Sequence, residues 1–296
     1  MVFLMGRFVF DFFLSQHPLL RSRPWVGFGR FLWWQGISRL RPGRHRYDWI
    51  GASKLWLQRG WGGLTGNYYA GLHEFEDMAF LLHLLRPDDR FVDVGANMGS
   101  YTVLARGVCQ ACTVSYEPVP VTFQRLQDNL QLNNALDERS RLVNAAVGSA
   151  PGTLRMSEGQ DAMNHVARPD EAAALEVPVV TLDEDLFATP LLIKVDVEGF
   201  ETEVFRGARR HLANPALRAL IVELNGLGQR YGYDEQALHT KLLAAGFRPF
   251  AYDPFARQLR SLPAPGPHNT LYCRDLAFIE ARLASAPPVT VIGMTF

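Results

Sequence analysis

This 296-residue sequence has only three cysteines, no net charge and no long uninterrupted apolar run. Cys109 and Cys112 form a C-x-x-C pair, but only Cys273 could add a third sulfur, and no histidine lies close in sequence. One such pair without a second does not make a metal motif, so no metal is expected. The thiols read as ordinary reduced ones, which points to the cytoplasm. Thirty basic side chains balance thirty acidic ones, which gives the chain as a whole no attraction for nucleic acid. The stretch from Met1 to Leu14 is apolar, but Arg7 and Asp11 interrupt it. It lacks a basic start and a small-x-small cleavage site, so a signal peptide is not expected. Nothing reaches the ~18 apolar residues of a membrane-spanning helix.

What is present is an ordinary globular composition, 48% hydrophobic and 20% charged. The length fits one α/β domain of about 200 residues with an extension. Charge divides the chain unevenly. Residues 1–60 carry ten Lys and Arg against only Asp11 and Asp48, and all six tryptophans lie at or before Trp61. The expected division is a basic, Trp-rich extension over 1–66, a core domain over 67–280 and a tail over 281–296. Two readings of the extension are open. The stretch from Met1 to Leu14 is a helix packed on the main domain, the reading favoured here, or an interfacial helix making peripheral contact at the inner membrane face, with the Trp and Arg behind it against headgroups.

Beyond residue 66 the pattern becomes regular. Apolar positions Leu72, Phe75, Ala79, Leu82 and Leu85 predict an amphipathic helix. Strands are expected over 90–94, 113–116, 141–147, 191–195, 220–222, 248–252 and 270–273. Helices are expected over 100–106, 122–132, 201–211 and 235–245. Residues 151–180 interrupt the alternation as a hairpin or lid, and 21–66 read as loops and short elements. Strands alternating with helices imply a mostly parallel sheet covered on both faces.

The first strand enters Asp93-Val94-Gly95-Ala96-Asn97-Met98-Gly99, and a helix follows. Glycines there allow positive φ and close backbone approach, and the helix start offers free N–H groups. Glu117 ends the next strand, a spacing that suits an acid accepting from a ribose diol. A dinucleotide loop would have glycine where Asn97 stands. Asp93 would repel a pyrophosphate but suits the amino group of a methionine moiety. S-adenosylmethionine therefore fits better than NAD.

These residues, with Tyr116-Glu117-Pro118, Asn144-Ala145-Ala146-Val147-Gly148, Thr181-Leu182-Asp183, Lys194-Val195-Asp196-Val197-Glu198-Gly199 and Glu223-Leu224-Asn225, resemble the FkbM-type methyltransferases, a class I S-adenosylmethionine family. The resemblance covers roughly residues 72–275, and its most specific part is the Lys-x-Asp-x-Glu-Gly stretch. It implies a Rossmann-like seven-stranded sheet, the last strand antiparallel, and O-methylation as the usual chemistry. It further implies that Asp93, Gly95, Ala96, Asn97 and Gly99 hold the methionine end, that Glu117 takes the ribose, and that Asn144 and Ala145 flank the adenine.

For the acceptor, a saccharide or other small hydroxylated metabolite, a base is needed because a hydroxyl is a poor nucleophile until its proton leaves. Asp196 is the first candidate for base or acceptor contact. Glu198 and Glu223 stand close to it at strand ends, and His165 suits a base near neutrality. Plainer readings compete: Lys194–Asp196 as a sheet-end ion pair, and Glu198 as an acid serving the next helix start. Two other functions are kept alongside O-methylation, namely a non-catalytic cofactor-binding scaffold that docks a glycan or membrane, and an NAD-linked oxidoreductase. The oligomeric state is left open.

Overall fold

The computed structural model describes residues 16–157, 164–167 and 174–296. The helix expected over the first fourteen residues lies outside the described residues. The chain opens with α1 (Pro24–Leu40), the hairpin β1 (His45–Asp48) and β2 (Lys54–Leu57), then α2 (Gly62–Ala70) and α3 (Phe75–Leu84). The alternating core follows as β3 (Arg90–Val94), α4 (Ser100–Val103, continued by a π-turn over Leu104–Val108), β4 (Cys112–Tyr116), α5 (Pro120–Leu132) and β5 (Ser140–Val143). A side sheet comes next: β6 (Ala146–Val147), β7 (Gly152–Ser157) and β8 (Ala174–Val180). The chain then returns through α6 (Leu182–Asp185), β9 (Leu192–Val195), α7 (Glu201–Arg206), α8 (Arg209–Ala213), β10 (Ala219–Glu223) and α9 (Glu235–Ala244). It ends with β11 (Arg248–Asp253), β12 (Gln258–Ser261), β13 (Asn269–Cys273), α10 (Leu276–Ala284) and the small hairpin β14 (Thr290–Val291) and β15 (Met294–Thr295).

The main sheet runs β12-β11-β13-β10-β9-β3-β4-β5. The pairings β10–β9, β9–β3, β3–β4 and β4–β5 are parallel, and β13 lies antiparallel between β10 and β11. The expected seven strands are all there, with the last antiparallel. An eighth, β12, is added at the edge because the turn after Asp253 folds the chain back on β11. This is a Rossmann-like α/β fold, and its strands alternate between two covered faces as period two requires. Phe91, Leu192, Ala219 and Ile221 join one core with α3, α4 and α10. Val92, Val94, Ile193, Val195, Leu220 and Val222 join the other with α7, α8 and α9.

Four elements depart from the sequence expectation. The helix α3 is buried nearly all round, not amphipathic, because β-sheet, α10 and the N-terminal cover enclose it. The strand expected over 141–147 breaks after Val143, and Ala146–Val147 pairs instead with β8 in the side sheet. The helix expected over 201–211 divides at Gly207, where an added Cβ would come within 2.0 Å of the Gly148 carbonyl oxygen. Finally, α1 occupies 17 residues where loops were expected. It carries apolar side chains on both sides, so no single stripe marks it in the sequence. Trp34, Trp49, Leu55, Leu57 and Trp61 enter the same core as the α3 face of the sheet, and so does the final residue, Phe296.

Candidate active site

A cleft of about 310 Å³ opens at the carboxyl ends of β3, β4, β9 and β10. Ligand sites in open α/β sheets form at this edge. Asp93, Gly95, Ala96, Asn97, Glu117 and Ala145 line one part of it; Asp196, Glu198 and Glu223 line another. The register explains part of the grouping. Asp93 pairs with Lys194, and Lys194 with Ile221, so Asp93, Lys194 and Glu223 project from the same face of neighbouring strands.

The glycine loop is built by close approach. Gly95 has φ +79°, and a Cβ there would come within 1.9 Å of the Asp196 carbonyl oxygen. The Gly95 and Ala96 N–H groups donate to the Tyr116 carbonyl at 3.0 and 2.9 Å, which ties the loop to the end of β4. Gly99 is outside the cleft; its φ of +90° turns the chain into α4, and an added Cβ would meet Leu126 Cδ1 at 2.5 Å. Asn97 holds φ +50° with its own Oδ1 accepting from the Met98 N–H at 2.7 Å.

Glu117 connects the two strand ends. Its Oε2 accepts the Asn97 N–H at 3.0 Å and its Oε1 the Val119 N–H at 2.9 Å. Burial pushes its carboxyl up to about 7; the two backbone donors pull against that rise, and Asp93 and Asp196 add to it. Asn144 is not in the cleft lining but donates to the Glu117 and Pro118 carbonyls at 2.8 and 2.9 Å, fixing the strand end. Asp93 is fully buried. Its Oδ2 accepts from Thr102 Oγ at 2.7 Å, while its Oδ1 has no hydrogen-bond partner among the described residues. Burial raises this carboxyl, opposed chiefly by Lys194. A buried acceptor without a donor costs about 1–3 kcal/mol, so the site is suited to a cationic donor such as a ligand ammonium.

The other part of the cleft is a cluster of like charge. Asp196, Glu198 and Glu223 each place a carboxylate oxygen within 4.8 Å of the other two. Lys194 Nζ sits 2.8 Å from Asp196 Oδ2 and 4.7 Å from the Tyr101 ring centre. Burial alone would lower the lysine, but Asp196, Glu74 and Asp93 hold it above its ordinary range. Burial and then Asp196 and Glu198 push the Glu223 carboxyl far up, and its Oε2 is buried without a partner. Glu198 rises for the same first two reasons, burial and Asp196. These three acids could hold a divalent cation through oxygen, with Lys194 already standing as counter-ion to one of them.

Glu198 itself stands at φ +56° and does not cap the following helix. Glu201, the first residue of that helix, instead ties down the loop before it: its Oε1 accepts the Val197 N–H at 3.1 Å and the Gly199 N–H at 3.2 Å. His165 is buried beside the cleft. Its Nδ1 lies 3.3 Å from Ser157 Oγ, and its neighbours Asn164 and Val166 line the cavity.

Sequence reasoning missed the wall contributed from before β3. Gly63, His73 and Glu74 line the cleft. Glu74 Oε1 accepts from Asn269 Nδ2 at 2.7 Å, and buried Asn67 spans the Ser100 hydroxyl and the His73 N–H. No spacing marks these residues, since Glu74 and Asn67 act through Asn269 and Ser100, which are far away in the chain.

A family model described as methyltransferase FkbM domain matches residues 93–249. "Methyltransferase 1" of Beauveria bassiana is 32% identical over 147 residues, which are 41% of this chain and 59% of that protein. The chain thus spans about three fifths of the length of that relative. The hexuronic acid methyltransferase AglP of Haloferax volcanii is 26% identical over 58% of this chain and 68% of its own length. The 31-O-demethyl-FK506 methyltransferase FkbM of Streptomyces tacrolimicus is 26% identical over 53% of this chain and 74% of its own.

Proposed function

Because the chain belongs to the FkbM methyltransferase family, we propose that it moves a methyl group from S-adenosylmethionine to a hydroxyl of a saccharide or small metabolite. One observation carries the cofactor half of this reading: Glu117 accepts backbone N–H groups from both the glycine loop and its own strand end, beside an Asp93 oxygen that lacks a donor. When bound, S-adenosylmethionine supplies an electrophilic methyl on a sulfonium. Asp93 would accept from the methionine ammonium, and Glu117 from the ribose hydroxyls. Ala145 would lie against the base, with Asn144 holding the strand end behind it.

Asp196 takes the acceptor's proton as the hydroxyl attacks. Lys194 fixes the Asp196 carboxylate at 2.8 Å. Glu223 and Glu198 crowd it with negative charge, which favours uptake of a proton by the cluster. His165, held against Ser157, is the second candidate for that proton. The names of the Haloferax and Streptomyces relatives, a hexuronic acid methyltransferase and a 31-O-demethyl-FK506 methyltransferase, support an oxygen-bearing acceptor.

The test is calorimetry with S-adenosylhomocysteine, followed by incubation with isotopically labelled S-adenosylmethionine and a saccharide extract. Binding together with labelled product is expected. A chain that does not bind the cofactor product would refute this reading, and one that binds it but labels no acceptor would leave the cofactor-binding scaffold.

A further inference from the structure

The helix α1 has two apolar faces, and among the described residues only one of them packs into the core. Gly27, Phe31, Trp34 and Ser38 pack inward. On the opposite side, Trp25 is 71% exposed, Leu32 50%, Trp33 57% and Leu40 81%. These positions follow the helical repeat and form one stripe along about 25 Å of helix. Gly29 and Gly36 complete the stripe; each is exposed, with open space where a side chain would go. The inner face therefore does not require glycine at these two positions, and their effect is to leave the outer face flat.

Cations frame this stripe. Arg39 borders it, Arg21 and Arg41 stand at its two ends, and all three are exposed. Between residues 16 and 60 the chain holds nine Lys and Arg against a single acid, Asp48. An exposed aromatic and leucine face rimmed by arginine is the composition of a helix lying in a membrane interface. Tryptophan suits that depth, and arginine can bury its stem while its head stays with phosphates.

We propose that the outer face of α1 docks on an anionic lipid bilayer. Charge decides between this and the other candidate occupants. A second copy meeting face to face would set one arginine rim against another. Residues 1–15 carry one Arg and one Asp, so they bring no net negative charge to the rim. A bilayer with anionic headgroups complements both the apolar stripe and its border. The proposal is independent of the acceptor's identity and of catalysis.

The experiment is flotation of the full chain with phosphatidylcholine vesicles, with and without phosphatidylglycerol. Two variants run beside it: Leu32→Ser with Trp33→Ser and Leu40→Ser, and the charge reversal Arg39→Glu with Arg41→Glu. Thermal melting confirms that each is folded, and sedimentation reports oligomeric state. The proposal expects flotation with the anionic vesicles, weak flotation with the neutral ones, and release by added salt. Each variant should bind at least about tenfold more weakly. It is overturned by no flotation at low salt, by equal flotation on neutral vesicles, or by variants that float like the parent. A vesicle-indifferent dimer that the serine variant dissociates also overturns it, in favour of a second copy.

Discussion

The two halves of the cleft hold their acids in opposite ways. On the proposed cofactor side, Glu117 is met by two backbone N–H groups, and Asp93 keeps one bonded and one open oxygen. On the proposed acceptor side, Asp196, Glu198 and Glu223 are met mainly by one another, with Lys194 as the resident counter-ion of Asp196. Backbone donors are fixed by the fold and do not move when a ligand arrives, so the first half is organised for binding. A group of like charges is stabilised by a proton or a cation, so the second half is organised to take one up.

The sharpest way to break this comparison is Asp196→Asn, which keeps the shape and removes the charge. Turnover should fall ~10²–10⁴-fold, the worth of one positioned base, while affinity for S-adenosylhomocysteine stays near the parent's. Parallel loss of cofactor binding would mean that the two halves are one site. His165→Ala run beside it assigns the proton: loss confined to the His165 variant makes that residue the base and leaves Asp196 as the partner of Lys194.

On the binding side, Glu117→Ala should weaken S-adenosylhomocysteine by ~1–3 kcal/mol through lost charged hydrogen bonds. Calorimetry reads this directly, and undiminished affinity removes Glu117 from the ribose. The same carboxylate sets a pH dependence. With its value raised to about 7, Glu117 is protonated in the free protein below that point and ionised above it. Two ribose hydroxyls donate better to the ionised form. Affinity should therefore rise with pH toward neutrality, by at most about tenfold per unit, and level off above. Affinity that falls over the same interval would contradict the assignment.

The legibility of the two halves differs for the same reason as their chemistry. Asp93, Gly95, Asn97 and Glu117 lie in short contiguous stretches whose local geometry demands those residue types, so the sequence exposes them. The main sheet was legible through its alternation of strand and helix. Glu74 and Asn67 were not, because their roles come from contacts with Asn269 and Ser100 that no local period encodes. Glu201 was hidden behind Glu198: both acids stand near the start of α7, and the positive φ at Glu198 and Gly199 turns the loop so that Glu201 reaches back to the Val197 and Gly199 N–H groups. For α1, apolar residues on two faces hid the helix.

The smallest expected effect tests whether the acceptor half is strained by its own charge. Glu223 carries a partly buried carboxyl pushed far above its ordinary 4.5, first by burial and then by Asp196 and Glu198. For such a group the folded protein holds the proton more tightly than the unfolded chain. Its contribution to stability is whole below the unfolded value, near 4.5, and is lost as pH rises toward the raised folded value. Glu223→Gln has no proton to lose. At pH 5 the variant and the parent should melt almost together. At pH 8 the variant should be more stable by ~0.5–1 kcal/mol, the low end of what relieving such charge yields, and less active, as expected where a site keeps unfavourable groups for function. Thermal melts at the two pH values decide the matter. A stability difference of the same size at both would mean that the substitution acts through packing, and the contrast between the two halves would then rest on hydrogen bonding alone.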